Sequence, residues 1–292
     1  MADEETCLSF AEKVKSGRPL GPLSGLTVIQ SAPKRPVPWV SRCLTTVERW
    51  ADTSGADYLR VGDELLERIP LWFREKVGLR WPILCDLGRL ILAEEQLAAG
   101  AQATLWLDAD CYLFAPEVLT QELERLCAAD QPPHCFALEL WPQPKASDPR
   151  RLKVYQSACN ALAFFRAGDP FLPFYRHCAE RTIRLIEGPI APQLIGPKML
   201  SALRGPAQLP LTSVVGSASP LVLADLDRRG GPALDRLLEA LAHWTPCAAL
   251  NLCGSYEGQQ RDGVEVSAEL FARVMDRLDE RGGPLGELKA LV

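Results

Sequence analysis

The chain has 292 residues, of which 47% are hydrophobic and 24% charged, and its formal net charge is −5. This composition is ordinary for a soluble globular protein, and the length is ample for a sizeable core. Charges of both signs are mixed with no long basic run, which argues against a nucleic-acid groove. No apolar stretch approaches the roughly 18 residues of a membrane span.

None of the ten cysteines lies in a CxxC pair, so neither a zinc knuckle nor a thioredoxin-type motif is indicated. Many lie inside apolar runs such as ILCDL, where a free cysteine behaves as a small hydrophobe. The first ten residues, MADEETCLSF, contain neither the basic nor the apolar part of a signal peptide. We therefore expect a cytoplasmic protein with reduced thiols.

The first third of the chain predicts a β-α-β opening. Apolar runs at 24–33 and 55–63 predict strands, and the segment between them has apolar residues at helical spacing over 39–50. This order indicates a parallel sheet. The strongest predicted helix begins at Pro82 and carries an apolar stripe that Glu94 interrupts.

The rest of the chain continues the alternation. The apolar run ATLWL predicts a central strand that is buried on both faces. Further strands are predicted at 134–140 and 160–168, with one or two short strands within 212–226 and a late strand that breaks into a loop over 245–258. Further helices are predicted at 116–129, after Asp169 and Pro170, after the Gly-Pro step at 196–197, at 231–243 and from about 266. The Pro-rich, charged segment 141–154 is predicted to be a loop.

These elements predict a single α/β domain, with a central, mostly parallel sheet flanked by helices. The domain covers residues 1–292, with a core at about 24–256 and a helical tail at 257–292.

Two aspartates, Asp108 and Asp110, end the apolar strand in LWLDADCYLF. Residues two apart on a strand point to the same side, so their charges would raise one pKa unless a cation lies between them. Carboxylate oxygens suit Mg²⁺ or Mn²⁺, which keep positions open for substrate phosphates. Ligands of a parallel sheet gather at the carboxyl ends of its strands. The alternative is a solvated turn that the aspartates cap.

Four motifs in order resemble those of GT-A glycosyltransferases, whose fold is Rossmann-like. The closest resemblance is to the bacterial and fungal DXD sugar transferases typified by the α-1,6-mannosyltransferase that initiates fungal outer chains. Those families have an Asp-x-x-Arg step on a helix before a strand that ends in Asp-x-Asp, then an Asn-containing segment and a Gly-Pro turn. Here the corresponding segments are CDLGR (85–89), LWLDAD (105–110), CNALAFFRAGDPFLPFY (159–175) and LIGPKMLSAL (194–203).

Two features of this sequence depart from the family pattern. The families usually have Gly-Gly-[Ile/Val]-Tyr before the first aspartate, where this chain has Gly-Ala-Gln-Ala-Thr-Leu-Trp. They often have a histidine or another metal ligand near the C-terminal end, where this chain has Asn251.

The resemblance implies a metal site and a nucleotide site. Asp110 would bind the metal directly, and Asp108 would contact the ribose or reach the metal through water. Asn251 either completes the metal shell through its amide oxygen or is a turn residue. Lys198 either contacts a phosphate or faces solvent.

The resemblance also implies a sugar site. Asp86 would accept hydrogen bonds from hydroxyls of the donor sugar, Arg89 would hold the sugar or the diphosphate, and Asn160 would help to position the sugar. The alternative for Asp86 and Arg89 is a surface ion pair between helix neighbours.

The function that follows is a metal-dependent glycosyltransferase, a hexosyltransferase that uses Mn²⁺ or Mg²⁺ and a nucleoside diphosphate sugar. The resembled families retain anomeric configuration. The acceptor would be a glycan, a protein or a small molecule. The alternatives are another metal-phosphate enzyme, such as a sugar nucleotidyltransferase or a phosphohydrolase, and a non-catalytic protein that binds nucleotide sugars.

Overall fold

The computed structural model describes residues 21–286. The first part of the chain forms β1 (Leu26–Ser31), α1 (Pro38–Ser54), β2 (Asp57–Val61), a 3₁₀ helix (Asp63–Arg68), α2 (Leu71–Val77), α3 (Trp81–Ala98) and β3 (Ala103–Leu107). The middle part forms β4 (Cys111–Leu113), α4 (Pro116–Cys127), β5 (His134–Lys145), β6 (Asp148–Arg166), α5 (Phe171–Leu185) and α6 (Pro197–Leu203). The last part forms β7 (Leu211–Thr212), β8 (Val215–Ser217), α7 (Pro220–Asp227), α8 (Pro232–Leu241), β9 (Ala249–Asn251), a 3₁₀ turn (Gly254–Tyr256), β10 (Gln259–Arg261), β11 (Val264–Val266) and α9 (Ala268–Arg281).

The main sheet has six strands in the order β2-β1-β3-β6-β5-β7. β1 pairs in parallel with β2 and β3, and β5 pairs in parallel with β7. β6 is antiparallel to both of its neighbours, β3 and β5, so it alone runs against the other strands of this sheet. The predicted α/β fold with a mostly parallel sheet flanked by helices is confirmed. Beside it lies a smaller sheet of β4, β9 and β8.

The central strand β3 is buried along its whole length, as its apolar run predicted. Leu105 packs with Val47 of α1 on one face of the sheet. Trp106, one residue further on, packs with Leu90 and Leu92 of α3 on the other face. This alternation places α3 directly behind the strand that leads into the aspartate pair.

Glu94, which interrupts the apolar stripe of α3, lies against Arg176 of α5 and forms an ion pair with it. Arg176 also contacts Glu180 one turn later, at 2.9 Å. The acidic residue is therefore tolerated in the stripe because the facing helix supplies a cation at that point.

The prediction of a loop at 141–154 is wrong, because β5 and β6 form one long antiparallel hairpin through this segment. Prolines are tolerated here because the outer part of β5 has only β6 as a strand neighbour, so a missing N–H can face the free edge. Leu152 and Val154 pack against the apolar cluster formed with the C-terminal helices. The hairpin therefore gains burial that its prolines and charges conceal in the sequence.

The one or two short strands predicted within 212–226 are present as β7 and β8, but the second half of this segment forms the helix α7, which the sequence pattern does not indicate. Most of α7 is buried, so its sequence lacks the polar face that marks a helix. The Ser219 hydroxyl caps it by accepting a hydrogen bond from the Val222 N–H at 3.4 Å. The predicted helical tail likewise begins with a short hairpin, β10–β11, before α9.

The predicted absence of a signal peptide in MADEETCLSF and the end of the helical tail at 287–292 lie outside the described residues. Across residues 21–286, no helix has both the length and the apolar character required to cross a bilayer. The cysteines described there are all free thiols.

Candidate active site

Asp108 and Asp110 lie in a tight turn between β3 and β4, just beyond the carboxyl end of β3. The Asp108 N–H donates to the Ala161 carbonyl of β6, and the Cys111 N–H donates to the Asp108 carbonyl, both at 3.0 Å. A turn rather than an extended strand therefore positions the two carboxylates. Their location at the carboxyl edge of the sheet is where α/β folds bind ligands.

Three side chains position the carboxylate of Asp108. Its Oδ1 accepts hydrogen bonds from the indole N–H of Trp106 at 2.8 Å and from Nη1 of Arg89 at 3.2 Å. Its Oδ2 accepts from the side-chain amide of Asn251 at 3.3 Å. Asp108 is thus held in one orientation by residues from three different elements.

Asp110 has a different environment, because its closest polar contact is a backbone group. Its Oδ2 accepts from the Gly254 N–H at 2.8 Å. Burial, and after it the nearby charge of Asp108, raise the pKa of Asp110 to about 6, against the opposing influence of the Gly254 N–H and Arg89. The charge of Asp108 therefore disfavours ionisation of Asp110, as the spacing of the two aspartates suggested.

Asp86 and Arg89 are buried on α3, with exposed fractions of 4% and 7%, which excludes a surface ion pair. Arg89 Nη2 lies 3.2 Å from Asp86 Oδ1, and Arg89 Nη1 lies 3.2 Å from Asp108 Oδ1. Arg89 Nη1 also donates to the Asn160 carbonyl at 2.6 Å. The guanidinium therefore joins the two aspartates to β6, and these contacts favour a positioning role over a direct grip on a diphosphate.

One oxygen of Asp86 has no hydrogen-bond partner among the described residues. Oδ1 accepts from the Asn160 side-chain amide at 2.8 Å, whereas Oδ2 is buried and makes no hydrogen bond there. Burial raises the pKa of Asp86, against the opposing influence of Arg89 and Asn160. A buried acceptor without a donor is unfavourable, so Oδ2 is a polar atom that the described residues leave unsatisfied.

Gly196 allows this arrangement because it lies against the same two side chains. A Cβ at this position would lie 2.5 Å from Asp86 Oδ2 and 2.9 Å from Asn160 Nδ2. The glycine of the Gly-Pro step is therefore required by close approach, and Pro197 then begins α6.

An irregularity in the β5–β6 pairing places Asn160 in the site. Phe136 is opposite Ala163, but the next residue, Ala137, is opposite Cys159. Because of this register shift, the consecutive residues Cys159 and Asn160 both line the cavity, which a regular strand would not allow.

These side chains line a single cavity of about 340 Å³, which we call the active-site cavity. Of the sequence-predicted site residues, the structure brings six together there: Asp86, Arg89, Asp108, Asp110, Asn160 and Asn251. Lys198 is exposed on α6 and is not among the lining residues, so its position matches the solvent-facing alternative.

The position of Asn251 at the end of β9 matches the turn role, one of the two roles considered for it. β9 pairs with β4, and Asn251 lies opposite Cys111. Its amide oxygen accepts from the Cys253 N–H at 2.7 Å, while its amide nitrogen donates to Asp108. Asn251 therefore holds the following turn and also faces the aspartate pair.

Sequence reasoning missed several lining residues. Glu139 and Trp141 come from β5, and Tyr256 comes from the 3₁₀ turn Gly254–Tyr256. One signal was present, because Glu139 is a charged residue between two leucines in an apolar strand. Further lining residues required knowledge of the tertiary structure: Pro82, Pro192, Ser217, Cys253 and Ser255.

The cavity has an excess of negative charge. The described residues line it with the carboxylates of Asp86, Asp108, Asp110 and Glu139 but with only one cationic side chain, Arg89. Residues 21–286 contain no group of three or more His, Cys, Asp or Glu residues arranged to hold a metal. Asp108 and Asp110 nevertheless fit Mg²⁺ or Mn²⁺, which use one or two protein carboxylates and complete their shell with water and substrate phosphates. The Asn251 amide turns its nitrogen toward Asp108 and its oxygen toward the Cys253 N–H, so it adds no ligand in this orientation.

No protein-family model and no curated protein matches this chain. Among solved structures, the chain is similar to a glycosyltransferase involved in the glycosylation of the major capsid of PBCV-1, with 11% identity and a TM-score of 0.42 over 87% of this chain and 98% of that chain. It is also similar to mannose-1-phosphate geranyltransferase from Thermus thermophilus, with 15% identity and a TM-score of 0.31 over 63% of this chain and 68% of that chain. Similarity at these levels assigns no activity.

Proposed function

We propose that this protein is a metal-dependent glycosyltransferase that moves a sugar, a hexose, from a nucleoside diphosphate sugar to an acceptor hydroxyl. One observation carries the proposal. A single cavity at the carboxyl edge of the sheet combines the aspartate pair with the unpartnered carboxylate oxygen of Asp86. The first feature suits a cation and a diphosphate, and the second suits a sugar hydroxyl.

The metal, Mn²⁺ or Mg²⁺, would be held by Asp110 and Asp108, with Asn251 beside them. When bound, it supplies a positive charge that offsets the charge developing on the leaving diphosphate. Arg89, the one cationic side chain that the described residues place in the cavity, is already paired with Asp86 and Asp108. These residues therefore offer little other positive charge there.

The protein's own groups would bind and orient the donor sugar. Asp86 Oδ2 would accept a hydrogen bond from a sugar hydroxyl, and Asn160 would keep that carboxylate in place through its contact with Oδ1. Arg89 would act as a positioning residue, because it holds Asp86 and Asp108 in fixed relation to each other.

We propose retention of anomeric configuration, as the family resemblance implies. The acceptor hydroxyl would attack from the face that the diphosphate leaves, and the leaving phosphate would take its proton. NMR of the newly formed glycoside measures this directly. A product with the opposite anomeric configuration would contradict retention but not sugar transfer.

The test is release of nucleoside diphosphate from a panel of UDP- and GDP-sugars with Mn²⁺, for the wild type and Asp110→Asn. Because the variant loses a metal-binding charge while keeping the shape of the side chain, we expect release to fall by about a hundredfold or more. Asp130→Asn is the matched control, since Asp130 is exposed and does not line the cavity.

Three outcomes would contradict the proposal. Equal activity of Asp110→Asn and the wild type would show that Asp110 holds no metal that the reaction needs. Formation of UTP or GTP and a sugar 1-phosphate when pyrophosphate is added would indicate a nucleotidyltransferase. Donor binding without turnover, in the presence of acceptors, would indicate a non-catalytic nucleotide-sugar-binding protein.

A further inference from the structure

A second group of cavity residues lies on β5 and is not used by the metal or the donor sugar. Glu139 and Trp141 lie on the same face of β5, because they are two residues apart on the strand, and both line the active-site cavity. Leu140 and Pro142 alternate with them and are buried on the opposite face. The outer part of the β5–β6 hairpin thus presents one polar and aromatic face to the cavity.

Trp141 is paired with a second aromatic residue from a distant part of the chain. Its ring centroid lies 6.0 Å from that of Tyr256, with an angle of 39° between the ring planes. Tyr256 ends the 3₁₀ turn that begins at Gly254, whose N–H donates to Asp110. The two rings, which we call the aromatic platform, are therefore tied to the aspartate pair by one short turn.

Glu139 adds a carboxylate beside the platform. The Ser157 hydroxyl, directly opposite on β6, donates to its Oε2 at 2.6 Å. Within the described residues, Glu139 makes no ion pair with a lysine or arginine. Because it is held but not neutralised, it can accept hydrogen bonds from a neutral ligand, and it would repel an anionic one.

The platform also lies on one particular side of the aspartate pair. In the main sheet β6 separates β3 from β5, while β1 and β2 lie on the other side of β3. Neighbouring strands are about 4.8 Å apart, so β5 is roughly 10 Å from the strand that carries the aspartates. A nucleoside that extends from the diphosphate toward β1 would leave the platform free for a second substrate.

We propose that the aromatic platform and Glu139 form the acceptor subsite, and that the acceptor is an uncharged carbohydrate. This inference rests on the proposed function, because only a protein that transfers a sugar has an acceptor. A sugar ring has an apolar face of C–H groups, which stacks on aromatic rings, and an edge of hydroxyls, which donate to a carboxylate. Trp141 and Tyr256 supply the first kind of surface, and Glu139 supplies the second.

The test measures two binding equilibria on the same set of proteins. One is the binding of neutral trisaccharides of glucose, mannose, galactose and N-acetylglucosamine, with glucose 6-phosphate as an anionic comparison, by titration calorimetry. The other is the thermal shift caused by UDP or GDP with Mn²⁺. The variants are Trp141→Ala, Trp141→Phe and Glu139→Gln. Phe174→Ala is the control, since Phe174 is 48% exposed and lies outside the cavity.

We expect at least one neutral trisaccharide to bind the wild type, and Trp141→Ala to weaken that binding by about tenfold or more. Trp141→Phe should recover part of the loss because it restores an aromatic face, and Glu139→Gln should weaken binding without abolishing it. Phe174→Ala should leave binding unchanged. The nucleotide-induced thermal shift should be the same in all variants.

Three results would overturn the inference. Two of them are the absence of binding for every neutral trisaccharide and tighter binding of the phosphorylated sugar. The other is loss of the nucleotide-induced shift in Trp141→Ala, which would place the nucleobase on the platform. If the wild type binds trisaccharides but no nucleotide, the proposed function fails while the carbohydrate subsite stands, so the two failures are distinguishable.

Discussion

Arg89 is the residue that makes the buried carboxylate of Asp86 and the half-buried carboxylate of Asp108 tolerable. Burial alone would lower the pKa of Arg89, but the charges of Asp108 and Asp86 raise it above its ordinary value, so the guanidinium stays charged. Its Cζ also lies 4.8 Å from the ring centroid of Trp106, a position that suits a cation over an aromatic face. Removing such a buried partner leaves uncompensated charge and is strongly destabilising.

Gly196 provides the sharpest test of the sugar site at the scale of one residue. In Gly196→Ala the new methyl group would meet Asp86 Oδ2 at 2.5 Å and Asn160 Nδ2 at 2.9 Å, and it would occupy the place of the expected sugar hydroxyl. We expect overpacking to lower the free energy of unfolding by about 1–3 kcal/mol, with a loss of donor turnover of about a hundredfold or more.

Gly205→Ala is the matched control, because a Cβ at position 205 would have no neighbour within 4 Å. Urea unfolding and nucleoside diphosphate release should both be unchanged in this variant. Turnover in Gly196→Ala equal to that of Gly205→Ala would show that the oxygen of Asp86 is not used by the substrate.

At the scale of elements, the β5–β6 hairpin is the feature that the sequence conceals most effectively. Its outer half contains Pro142 and Pro144 as well as several charges, so it has the composition of a loop. One face of the hairpin nevertheless packs against the C-terminal helices, and α8 contacts both strands. The other face carries Glu139 and Trp141 into the cavity.

Because the two faces of the hairpin differ in burial, we expect substitutions at neighbouring residues to change the free energy of unfolding by different amounts. Val154 packs against the apolar cluster, so Val154→Asp would bury a charge and should lower the free energy of unfolding by about 2 kcal/mol or more. Tyr155 is exposed, and Tyr155→Asp should change it by about 0.5 kcal/mol or less. Equal losses in urea unfolding would show that this part of the hairpin does not pack as described.

The sequence predicts elements well where burial and periodicity agree. The strand ATLWL and the helix after Pro82 could be predicted because their apolar patterns match a central strand and an amphipathic helix. α7 could not, because a helix buried on most sides loses its period and resembles a strand.

The same reasoning separates the predictable part of the site from the rest. The motifs CDLGR and LWLDAD indicated a common site through the family resemblance, in which an Asp-x-x-Arg step on a helix precedes a strand that ends in Asp-x-Asp. Glu139, Trp141 and Tyr256 reach the cavity through a hairpin, a register shift and a late turn, which are tertiary features. No local pattern specifies how far such residues are from Asp110.

For the molecule as a whole, folding concentrates negative charge. Asp86 comes from α3, Asp108 and Asp110 from the turn after β3, and Glu139 from β5, so these charges are separated in the unfolded chain and close together in the native one. Each buried carboxylate without a cation opposes folding. A cation that binds only the native state therefore stabilises the whole protein by mass action.

This coupling predicts how stability depends on pH and metal. The pKa of Asp110 is raised from 3.8 to about 6 in the folded protein, so folding favours its protonated form. Above pH 6 the wild type folds with an unfavourable ionised carboxylate, whereas below pH 4 the group is protonated in both states. Without metal, Asp110→Asn should thus be more stable than the wild type by roughly 3 kcal/mol above pH 6, with the difference shrinking as the pH falls toward 4 and disappearing below it.

Mn²⁺ should reverse that order. Since Asp110 must lose its proton to bind the ion, the thermal shift caused by Mn²⁺ should grow in the wild type as the pH rises through 6 and should stay small in Asp110→Asn. Thermal unfolding of both proteins at pH 5 and pH 7.5, with Mn²⁺ and with a chelator, measures all four states. Asp130→Asn should behave like the wild type throughout, because its exposed carboxylate lies outside the cavity. A variant Asp110→Asn that is less stable than the wild type without metal, or equally stabilised with it, would mean that the turn after β3 serves the fold rather than a cation.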